Sequence, residues 1–325
     1  MATTIRLGVL GAGIMGRRVA AAAVGTGRFE VVAVADADRV RAESLAGEYG
    51  ASAHGGVADL CAVPDLDAVY VGLPHALHLE ACAAAAAAGV HVLVDKPLCT
   101  TAAEADRIGA LAAASDRVWM VGFSYRYRAE WQRAQQIIAG GELGLPYFVL
   151  DTAIEAYVST PGWYWDAAAG GGTIQLQSHH SFDRIAWLID SDATGVSCRI
   201  VRPPGSAEVS AQISATYRSG LVAGISLSFG RTYDAVPRTL FVLQAERGML
   251  EIDEDRTLRV TTADGVLTES HADDDWLGHE LGAFAGAVDG DGFPFPGIAA
   301  GRAALQCALA AERAATSDSW MVPDA

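Results

Sequence analysis

The chain contains a single lysine, Lys96, in the segment VLVDKPLCT. Lysine and arginine together number 23, so every other member of that pair is an arginine. A partly buried ammonium can share or lose a proton near neutral pH, whereas a guanidinium stays charged. A lysine kept only here therefore indicates a role in which an ammonium loses or shares a proton. The alternative is a lysine that survived by chance.

Two adjacent histidines, His179 and His180, follow a run of three glycines in the segment GGGTIQLQSHH. An imidazole exchanges protons near neutral pH and is the side chain most often used as a general base. On a helix the two side chains point about 100° apart, so only one of them can face a given substrate. The alternative is that both histidines are structural.

Aromatic side chains crowd the segment PGWYWD, just before the glycines. Trp163 and Trp165 offer flat apolar surfaces, which suit the face of a sugar or cyclitol ring and equally suit an aromatic substrate. The same residues are also compatible with an ordinary hydrophobic core.

The segment GAGIMG fits the G-x-G-x-x-G fingerprint of dinucleotide-binding folds. It ends an apolar run typical of a buried strand and opens a helical pattern, which is the context that the motif requires. Gly11 allows the tight turn, Gly13 leaves room for the pyrophosphate, and Gly16 permits close contact between helix and strand. The N–H groups at the start of the helix are then expected to bind the phosphates.

An acidic residue about 20 positions further on completes this pattern. Asp36, in the segment VAVADAD, ends the second apolar run. Its carboxylate is expected to accept hydrogen bonds from the adenosine ribose and to repel a 2′-phosphate, which favours NAD over NADP. Arg39 and Arg41 keep NADP as the alternative, because an arginine can bind the additional phosphate.

The composition excludes several classes of function. The 325 residues carry a formal net charge of −16, and the pI is about 4.8, which argues against nucleic-acid and anionic-membrane partners. The longest apolar run, residues 81–94, is too short to span a bilayer. Five scattered cysteines without a CxxC pair predict a reduced, cytoplasmic protein without disulfides or a metal site.

Strand and helix patterns alternate over the first 123 residues. This alternation predicts a doubly wound parallel sheet of the α/β class, and hence a dinucleotide-binding domain over residues 1–123. The predicted strands cover residues 5–10, 29–35, 68–73, 90–95 and 118–123, and the predicted helices cover 14–25, 38–48, 76–89 and 101–114.

The pattern changes after residue 123, where several strand-like runs follow one another without helices between them. Such runs predict an α+β domain over residues 124–325 with a largely antiparallel, open-faced sheet. The predicted strands lie near 146–156, 195–203, 207–217, 221–230 and 238–245, with a short pair of strands around 249–261. The predicted helices cover 128–141, 173–190, 276–289 and 298–317. The last two helices are expected to pack back toward the first domain.

Four segments together resemble the glucose–fructose oxidoreductase / inositol dehydrogenase / MocA (Gfo/Idh/MocA) family of NAD(P)-dependent oxidoreductases. They are GAGIMG, LPHALH, VDKP and GGGTIQLQSHHSFD. The likeness covers nearly the whole chain and includes VGFSYRY after the last predicted parallel strand. The combination is specific to the family, whereas each motif alone is common.

The resemblance implies a role for each motif. Lys96, in the position of the family's E-K-P lysine, is expected to contact the reacting oxygen of the substrate and the nicotinamide ribose. A cis peptide bond is expected before Pro97. His75 is expected near the nicotinamide, while His78 is either a cofactor contact or a structural histidine at the start of a helix.

One position departs from the family pattern. The family usually has an aspartate four residues before the histidine that corresponds to His180, and this chain has Leu176 there. Leu176 brings no charge to His180, so the imidazole is expected to be neutral at neutral pH and ready to accept a proton from an alcohol. The motif register favours His180 over His179 as the catalytic histidine.

The expected site residues fall into two groups. The cofactor is expected to contact Gly11, Gly13, Ile14, Met15, Gly16, Asp36, Leu73, Pro74, His75, His78, Asp95, Lys96, Pro97 and Arg126. The substrate is expected to contact Lys96, Tyr125, Trp163, Trp165, Leu176, His179 and His180. Lys96 and His180 are the expected catalytic pair.

The resemblance implies an NAD-dependent dehydrogenase or reductase. It would transfer a hydride between nicotinamide and a carbinol carbon of a sugar, an inositol-like polyol or a related cyclic alcohol. Two alternatives stay open: an NAD-dependent enzyme of the glycoside hydrolase type, and a non-catalytic dinucleotide-binding regulator. Relatives assemble through the open face of the second domain's sheet, so a homodimer or homotetramer is expected.

Overall fold

The computed structural model of the chain describes residues 4–156, 160–230, 233–291, 296–317 and 319–324. Contacts between Cα atoms divide the chain into two compact units. The first unit comprises Met1–Ser124 and Asp275–Arg302, and the second comprises Tyr125–Asp274 and Ala303–Ala325.

The first unit is built on a parallel sheet. Its strands are β1 Ile5–Leu10, β2 Phe29–Ala35, β3 Ser52–His54, β4 Ala68–Val71, β5 His91–Asp95 and β6 Trp119–Gly122. They lie in the order β3-β2-β1-β4-β5-β6, and every neighbouring pair is parallel. The predicted doubly wound sheet is therefore confirmed. Because the strand order reverses between β1 and β4, the carboxyl ends of these strands open the crevice where such folds bind ligands.

The helices follow the predicted pattern closely. They are α1 Ile14–Gly25, α2 Arg39–Tyr49, α3 Val57–Cys61, α4 His78–Ala88, α5 Ala102–Ala113, α6 Ala129–Ala139, α7 His179–Ile189, α8 Trp276–Asp289 and α9 Ile298–Ser317. The short elements β3 and α3 were not predicted, because three to five residues are too few to show a period.

Helix α8 belongs to the first unit although it lies late in the chain. The Phe284 ring is stacked parallel to that of Phe29, with centroids 6.3 Å apart. An ion pair of 2.6 Å joins Arg28 to Asp289. Helix α8 is therefore held against the start of β2 by an aromatic contact and an ion pair.

The turn that carries Lys96 is tied down on its C-terminal side by a capping box at the start of α5. The Thr101 hydroxyl accepts a hydrogen bond from the Glu104 backbone N–H, and the Glu104 carboxylate accepts one from the Thr101 backbone N–H. This reciprocal arrangement satisfies two N–H groups that a helix start leaves without partners. It therefore sets the point at which the chain leaves the turn.

The second unit contains a larger sheet. Its strands are β7 Pro146–Ala156, β8 Ala193–Val201, β9 Ser210–Tyr217, β10 Val222–Gly230, β11 Ala235–Ala245, β12 Gly248–Asp253, β13 Thr257–Thr262 and β14 Gly265–Ser270. They lie in the order β14-β13-β12-β11-β7-β10-β9-β8. Among the described strands of this second sheet, only β7 and β10 pair in parallel, so the predicted largely antiparallel sheet is confirmed.

The two faces of this sheet differ in burial. Along β10, Ala223, Ile225, Leu227 and Phe229 are buried, while the residues between them are more exposed. This alternation is the two-residue period of a strand with one covered face. Helix α7, which carries His180, contacts β7 in the same unit. No described helix is both long enough and apolar enough to cross a bilayer.

Candidate active site

The glycine-rich turn after β1 has the geometry that its motif requires. Gly11 has φ +99°, a conformation that strongly favours glycine, and a Cβ there would lie 2.3 Å from the Gly72 carbonyl oxygen. A Cβ on Gly16 would lie 1.8 Å from the Gly11 carbonyl oxygen. No described atom comes within 4 Å of the Cβ position at Gly13. The turn is thus closed on the protein side and open at Gly13, which fits the close approach of a pyrophosphate.

Asp36, at the end of β2, is oriented by the same turn. One carboxylate oxygen accepts a hydrogen bond of 2.8 Å from the Ala12 N–H, and the other accepts one of 2.8 Å from the Asp38 N–H. Each carboxylate oxygen has a second acceptor site, so both can still accept from ribose hydroxyls. The residues present fit a dinucleotide, and Asp36 stands as its expected ribose contact.

The two arginines that could bind a 2′-phosphate are both paired with acids. The Arg39 Nε lies 2.7 Å from a Glu43 carboxylate oxygen, one turn further along α2. The Arg41 Nε lies 3.1 Å from the Asp38 carboxylate. These exposed ion pairs are individually weak. They nevertheless place an acid beside each arginine, which favours NAD over NADP.

Lys96 lies in the turn directly after β5. Its backbone N–H donates to the Asp95 carboxylate at 2.8 Å, and the Tyr70 hydroxyl donates to the other oxygen of that carboxylate at 3.0 Å. The peptide bond between Lys96 and Pro97 is cis, which confirms the prediction. Asp95 therefore anchors the turn from which the Lys96 side chain extends.

His78 connects this turn to the one after β4. The fully buried imidazole has Nδ1 2.9 Å from the Pro97 carbonyl oxygen and Nε2 3.0 Å from the Leu73 carbonyl oxygen. Burial lowers the pKa of His78, although the carbonyl contacts and Asp95 act in the opposite direction. These contacts give His78 a structural role beside Lys96, and a direct contact with the cofactor stays a prediction. The buried His75 ring lies edge-to-face with that of His78, at 5.6 Å.

In the second unit, the aromatic segment 163–165 packs closely against the three glycines at 170–172. A Cβ on Gly171 would lie 2.4 Å from the backbone oxygens of both Trp163 and Tyr164, so only glycine fits there. The Gly172 N–H donates to the Tyr164 carbonyl oxygen at 2.9 Å. The Trp165 ring packs edge-to-face on Phe229, at 6.3 Å. Gly171 and Gly172 therefore allow the aromatic segment to pack closely against this part of the chain.

The chain enters α7 through a π-helical turn, Ile174–Ser178, where the sequence predicted a regular helix. Glu208 accepts hydrogen bonds at this helix start, from the Ile174 N–H through its carboxylate and from the Thr173 N–H through its carbonyl. The Ser178 hydroxyl donates to the Ile174 carbonyl oxygen at 2.7 Å and so competes with the helical N–H for it. These three hydrogen bonds surround the wider turn, which no local pattern predicts.

The two adjacent histidines have different surroundings. His179 is fully buried, and its Nε2 lies 3.2 Å from the Gln175 side-chain oxygen. The Gln175 amide in turn donates to the Glu312 carboxylate at 2.8 Å. Burial raises the pKa of Glu312. His180 is partly exposed, and its ring meets the Tyr125 ring at 4.8 Å. Exposure thus favours His180 as the histidine that meets a substrate.

Arg126 forms a bidentate ion pair with Asp183, at 2.9 and 2.6 Å. Burial raises the pKa of Asp183, and the Arg126 guanidinium acts in the opposite direction. Arg126 therefore holds the start of the second unit against α7. Its predicted contact with the cofactor stays a prediction.

A buried ion pair lies beneath Tyr125. The Arg184 Nε lies 2.9 Å from Asp151 Oδ2, and a second hydrogen bond joins the same two side chains. Both residues are buried. Burial disfavours the charged Arg184, but Asp151 and Tyr125 favour it, and the net effect raises its pKa. Tyr125 and Arg184 also line a cleft with Trp131 and Phe241.

Among the described residues, no group of three or more histidine, cysteine, aspartate or glutamate side chains is arranged to hold a metal ion.

Two family models match the chain. The model described as "Oxidoreductase family, NAD-binding Rossmann fold" matches residues 5–123. The model described as "GFO/IDH/MocA C-terminal domain" matches residues 131–251. The chain belongs to the Gfo/Idh/MocA family. The predicted family and the predicted NAD-binding Rossmann domain are thereby confirmed.

Individual Gfo/Idh/MocA relatives support the same assignment. Inositol 2-dehydrogenase 3 of Saccharopolyspora erythraea is 34% identical over 205 residues, which are 62% of this chain and 57% of that protein. Inositol 2-dehydrogenase of Streptomyces avermitilis is 30% identical over 281 residues, 83% of this chain and 78% of that protein. The match thus spans less than two thirds of the first of these relatives.

A solved structure shares the fold over almost the full length. Levoglucosan dehydrogenase, in complex with NADH and levoglucosan, superposes with a TM-score of 0.90 at 20% identity. The superposition covers 99% of this chain and 100% of that one. At this identity the likeness shows the fold alone.

Sequence reasoning missed several residues that shape this Gfo/Idh/MocA site. Glu208 and Glu312 support the His180 helix from distant positions in the chain, and no local pattern marks them. Asp151 could have been found, because the alternation along β7 places it at a buried position between Val149 and Ala153. A buried acid in a strand needs a partner, and Arg184 is that partner.

Proposed function

We propose that this chain is an NAD-dependent dehydrogenase or reductase acting on a carbinol carbon of a sugar, an inositol-like polyol or a related cyclic alcohol. The observation that carries the proposal is Lys96, the chain's single lysine, held directly after β5 in a family-matched Rossmann domain. The 34% and 30% identical relatives named inositol 2-dehydrogenase support the substrate class.

Each residue has a stated role in this proposal. Bound NAD⁺ supplies the acceptor for a hydride. Lys96 places an ammonium beside the reacting oxygen, which stabilises the charge that develops when the hydroxyl loses its proton. His180, partly exposed and supported by Tyr125, accepts that proton. The tryptophans of the segment 163–165 suit the apolar face of a ring.

The test of this function is a panel of sugars, cyclitols and cyclic diols with NAD⁺, followed by the absorbance of released NADH. Steady release of NADH with at least one cyclic alcohol supports the proposal. A protein that binds NADH but oxidises none of them, and reduces none of the matching ketones, contradicts it. Glycoside cleavage without release of NADH would instead indicate the hydrolase type.

The cofactor preference gives a first prediction. NAD(H) should bind more tightly than NADP(H), and Asp36→Ala should narrow the difference by about tenfold, which corresponds to about 1.4 kcal/mol. The physical reason is that Asp36 repels a 2′-phosphate. Titration of both cofactors by fluorescence measures the difference. Asp116→Ala, which removes an acid with 91% side-chain exposure, controls for the change in net charge. Tighter binding of NADP(H) by the unaltered protein would refute the preference.

A second prediction concerns assembly: copies of this chain should associate into a homodimer or homotetramer. Phe148, Ile154, Val222 and Leu240 are 37–49% exposed. The strand register places them on one face of the sheet. Exposed apolar groups on one surface favour association. Light scattering should therefore give a multiple of 33.8 kDa at micromolar concentration.

The matched variants for assembly are Ile154→Glu, on that sheet face, and Val24→Glu, on α1. Both replace an apolar side chain that is more than 40% exposed. Only Ile154→Glu should lower the mass toward that of the single chain. A mass near 33.8 kDa for the unaltered protein rules the assembly out.

A reducing, cytoplasmic location is also part of the proposal. All five cysteines are free thiols, and four of them are buried. Burial raises the pKa of Cys82 and Cys307 to about 12, so these thiols are poor nucleophiles and resist disulfide exchange.

A further inference from the structure

Tyr125 is the centre of a side-chain cluster in the second unit. Its ring meets the His180 ring at a centroid distance of 4.8 Å and an interplanar angle of 62°. It meets the Trp131 ring at 5.5 Å and 81°. Edge-to-face contacts at such distances are favourable and depend on orientation. The His180 imidazole therefore packs against an aromatic ring.

Two guanidinium groups hold the Tyr125 ring in place. The Arg128 Cζ lies 4.0 Å from the ring centroid, and the Arg184 Cζ lies 4.5 Å from it. Both distances are well inside the range of a cation–π contact. A ring with these contacts has little freedom to turn.

The cluster is anchored in the core of the second unit. Asp151, on β7, is fully buried and fixes Arg184 through two hydrogen bonds. Breaking such a pair would leave a charge buried without compensation, so it holds its geometry firmly. The contacts thus run without interruption from Asp151 through Arg184 and Tyr125 to His180.

The helix spacing connects this cluster to the family departure at Leu176. Arg184 lies four residues after His180 on α7, and Leu176 lies four residues before it, so both positions adjoin His180 along the helix. The carboxylate usual in the family at position 176 is absent here. Arg184, four residues after His180, is charged. Its guanidinium lies over the Tyr125 ring, and that ring contacts His180.

We propose that Tyr125 is a positioning residue for His180, fixing the direction of the imidazole through its ring contact and through the guanidinium groups of Arg128 and Arg184 that lie over that ring. The inference rests on the proposed role of His180 in proton transfer. It differs from the expectation that Tyr125 contacts the substrate, because it assigns the ring an effect on turnover rather than on substrate binding.

The kinetic test compares Tyr125→Leu with Tyr125→Phe. Tyr125→Leu removes the ring and should lower kcat by about tenfold, because misplacement of a catalytic group slows the reaction step. KM and the Kd for NADH should stay within about twofold, since an effect confined to turnover leaves binding unchanged. Tyr125→Phe keeps the ring and should recover most of the lost turnover. A Tyr125→Leu variant that raises KM and keeps kcat overturns the proposal.

A structural readout makes the test independent of catalysis. In protein labelled with ¹³C-histidine, the His180 signal is identified by its loss in His180→Asn. The ring current of Tyr125 acts on that signal, so Tyr125→Leu should move it and Tyr125→Phe should leave it near its original position. Arg128→Gln removes one guanidinium from the ring while keeping Tyr125, and should also move the signal. It replaces Tyr125→Leu if that variant does not fold.

The two readouts separate this inference from the proposed function. A His180 signal that is unmoved in the folded variants overturns the positioning role, whatever the activity. A moved signal in a protein that acts on no alcohol of the panel leaves the positioning of His180 supported and contradicts the proposed function instead.

Discussion

Lys96→Arg should fold and still bind NADH, yet turn over substrate about 10²-fold more slowly or worse. Arginine keeps the positive charge, but its guanidinium does not release a proton and has a planar, larger shape. The fold should tolerate the change, because the turn is held through backbone groups, by Asp95, by His78 and by the capping box of α5. Steady-state kinetics and NADH titration on the same preparation measure both halves of this expectation.

The reverse substitution at another site is the matched control for Lys96. Arg107, exposed on α5, can be replaced by lysine, which adds the same functional group in the same unit. Arg107→Lys should keep full turnover. If Lys96→Arg also keeps near-full activity, the single lysine survived by chance, and its proposed role is wrong.

His180→Asn should remove most turnover, by about 10²-fold or more, while NADH binding persists. Asparagine retains a hydrogen-bonding side chain of similar reach but cannot accept a proton near neutral pH. The glycine-rich turn and Asp36 belong to the first unit, so dinucleotide binding should not depend on α7. The kcat of the variant, set beside its Kd for NADH, tests the assignment.

The control for His180 uses the same chemical change at an exposed histidine. His279, on α8, is exposed, and His279→Asn should behave as the unaltered chain. His179→Asn addresses the neighbouring candidate: it removes a buried contact with Gln175, so it should lower thermal stability. Undiminished turnover in His180→Asn would show that another group accepts the proton.

The absence of a carboxylate at position 176 bears on the chemistry of this family member. Leu176 is 5% exposed and contributes apolar packing at the His180 helix. Acidic side chains nearby are already paired: Asp183 with Arg126, and Asp151 with Arg184. The described ring contact of His180 is with Tyr125, over which the Arg128 and Arg184 guanidinium groups lie. Substrate preference should differ from that of relatives that use an aspartate in this position.

Local patterns determined much of the fold. Strands β1 and β2 and helices α1 and α8 begin and end where the sequence predicts them. Each is long enough to show its period, and the two helices also have recognisable boundaries, Gly13 before α1 and Asp275 and Gly290 around α8. The glycine-rich turn was equally predictable, because the requirement for glycine at Gly11 and Gly16 arises within one strand–turn–helix unit.

The short elements were beyond such reasoning. Strand β3 has three residues and pairs only with β2, so its formation depends on a neighbouring edge and not on its own sequence. At the π-helical turn before α7, the Ile174 N–H donates to the Glu208 carboxylate, more than thirty residues later in the chain. Strand β3 and the π-helical turn both have partners that are distant in sequence, and local sequence patterns do not reveal such partners.

The sequence by itself determined which residues carry chemistry: one lysine among arginines, a histidine pair after three glycines, and an acid at the end of β2. Tertiary structure decided how those residues are held. It buried His179 against Gln175 and left His180 partly exposed, although the two are adjacent. It also paired Arg126 with Asp183 and placed the guanidinium groups of Arg128 and Arg184 over the Tyr125 ring. The physical reason is that side-chain type sets what a group can do, while burial and partners depend on packing between distant segments.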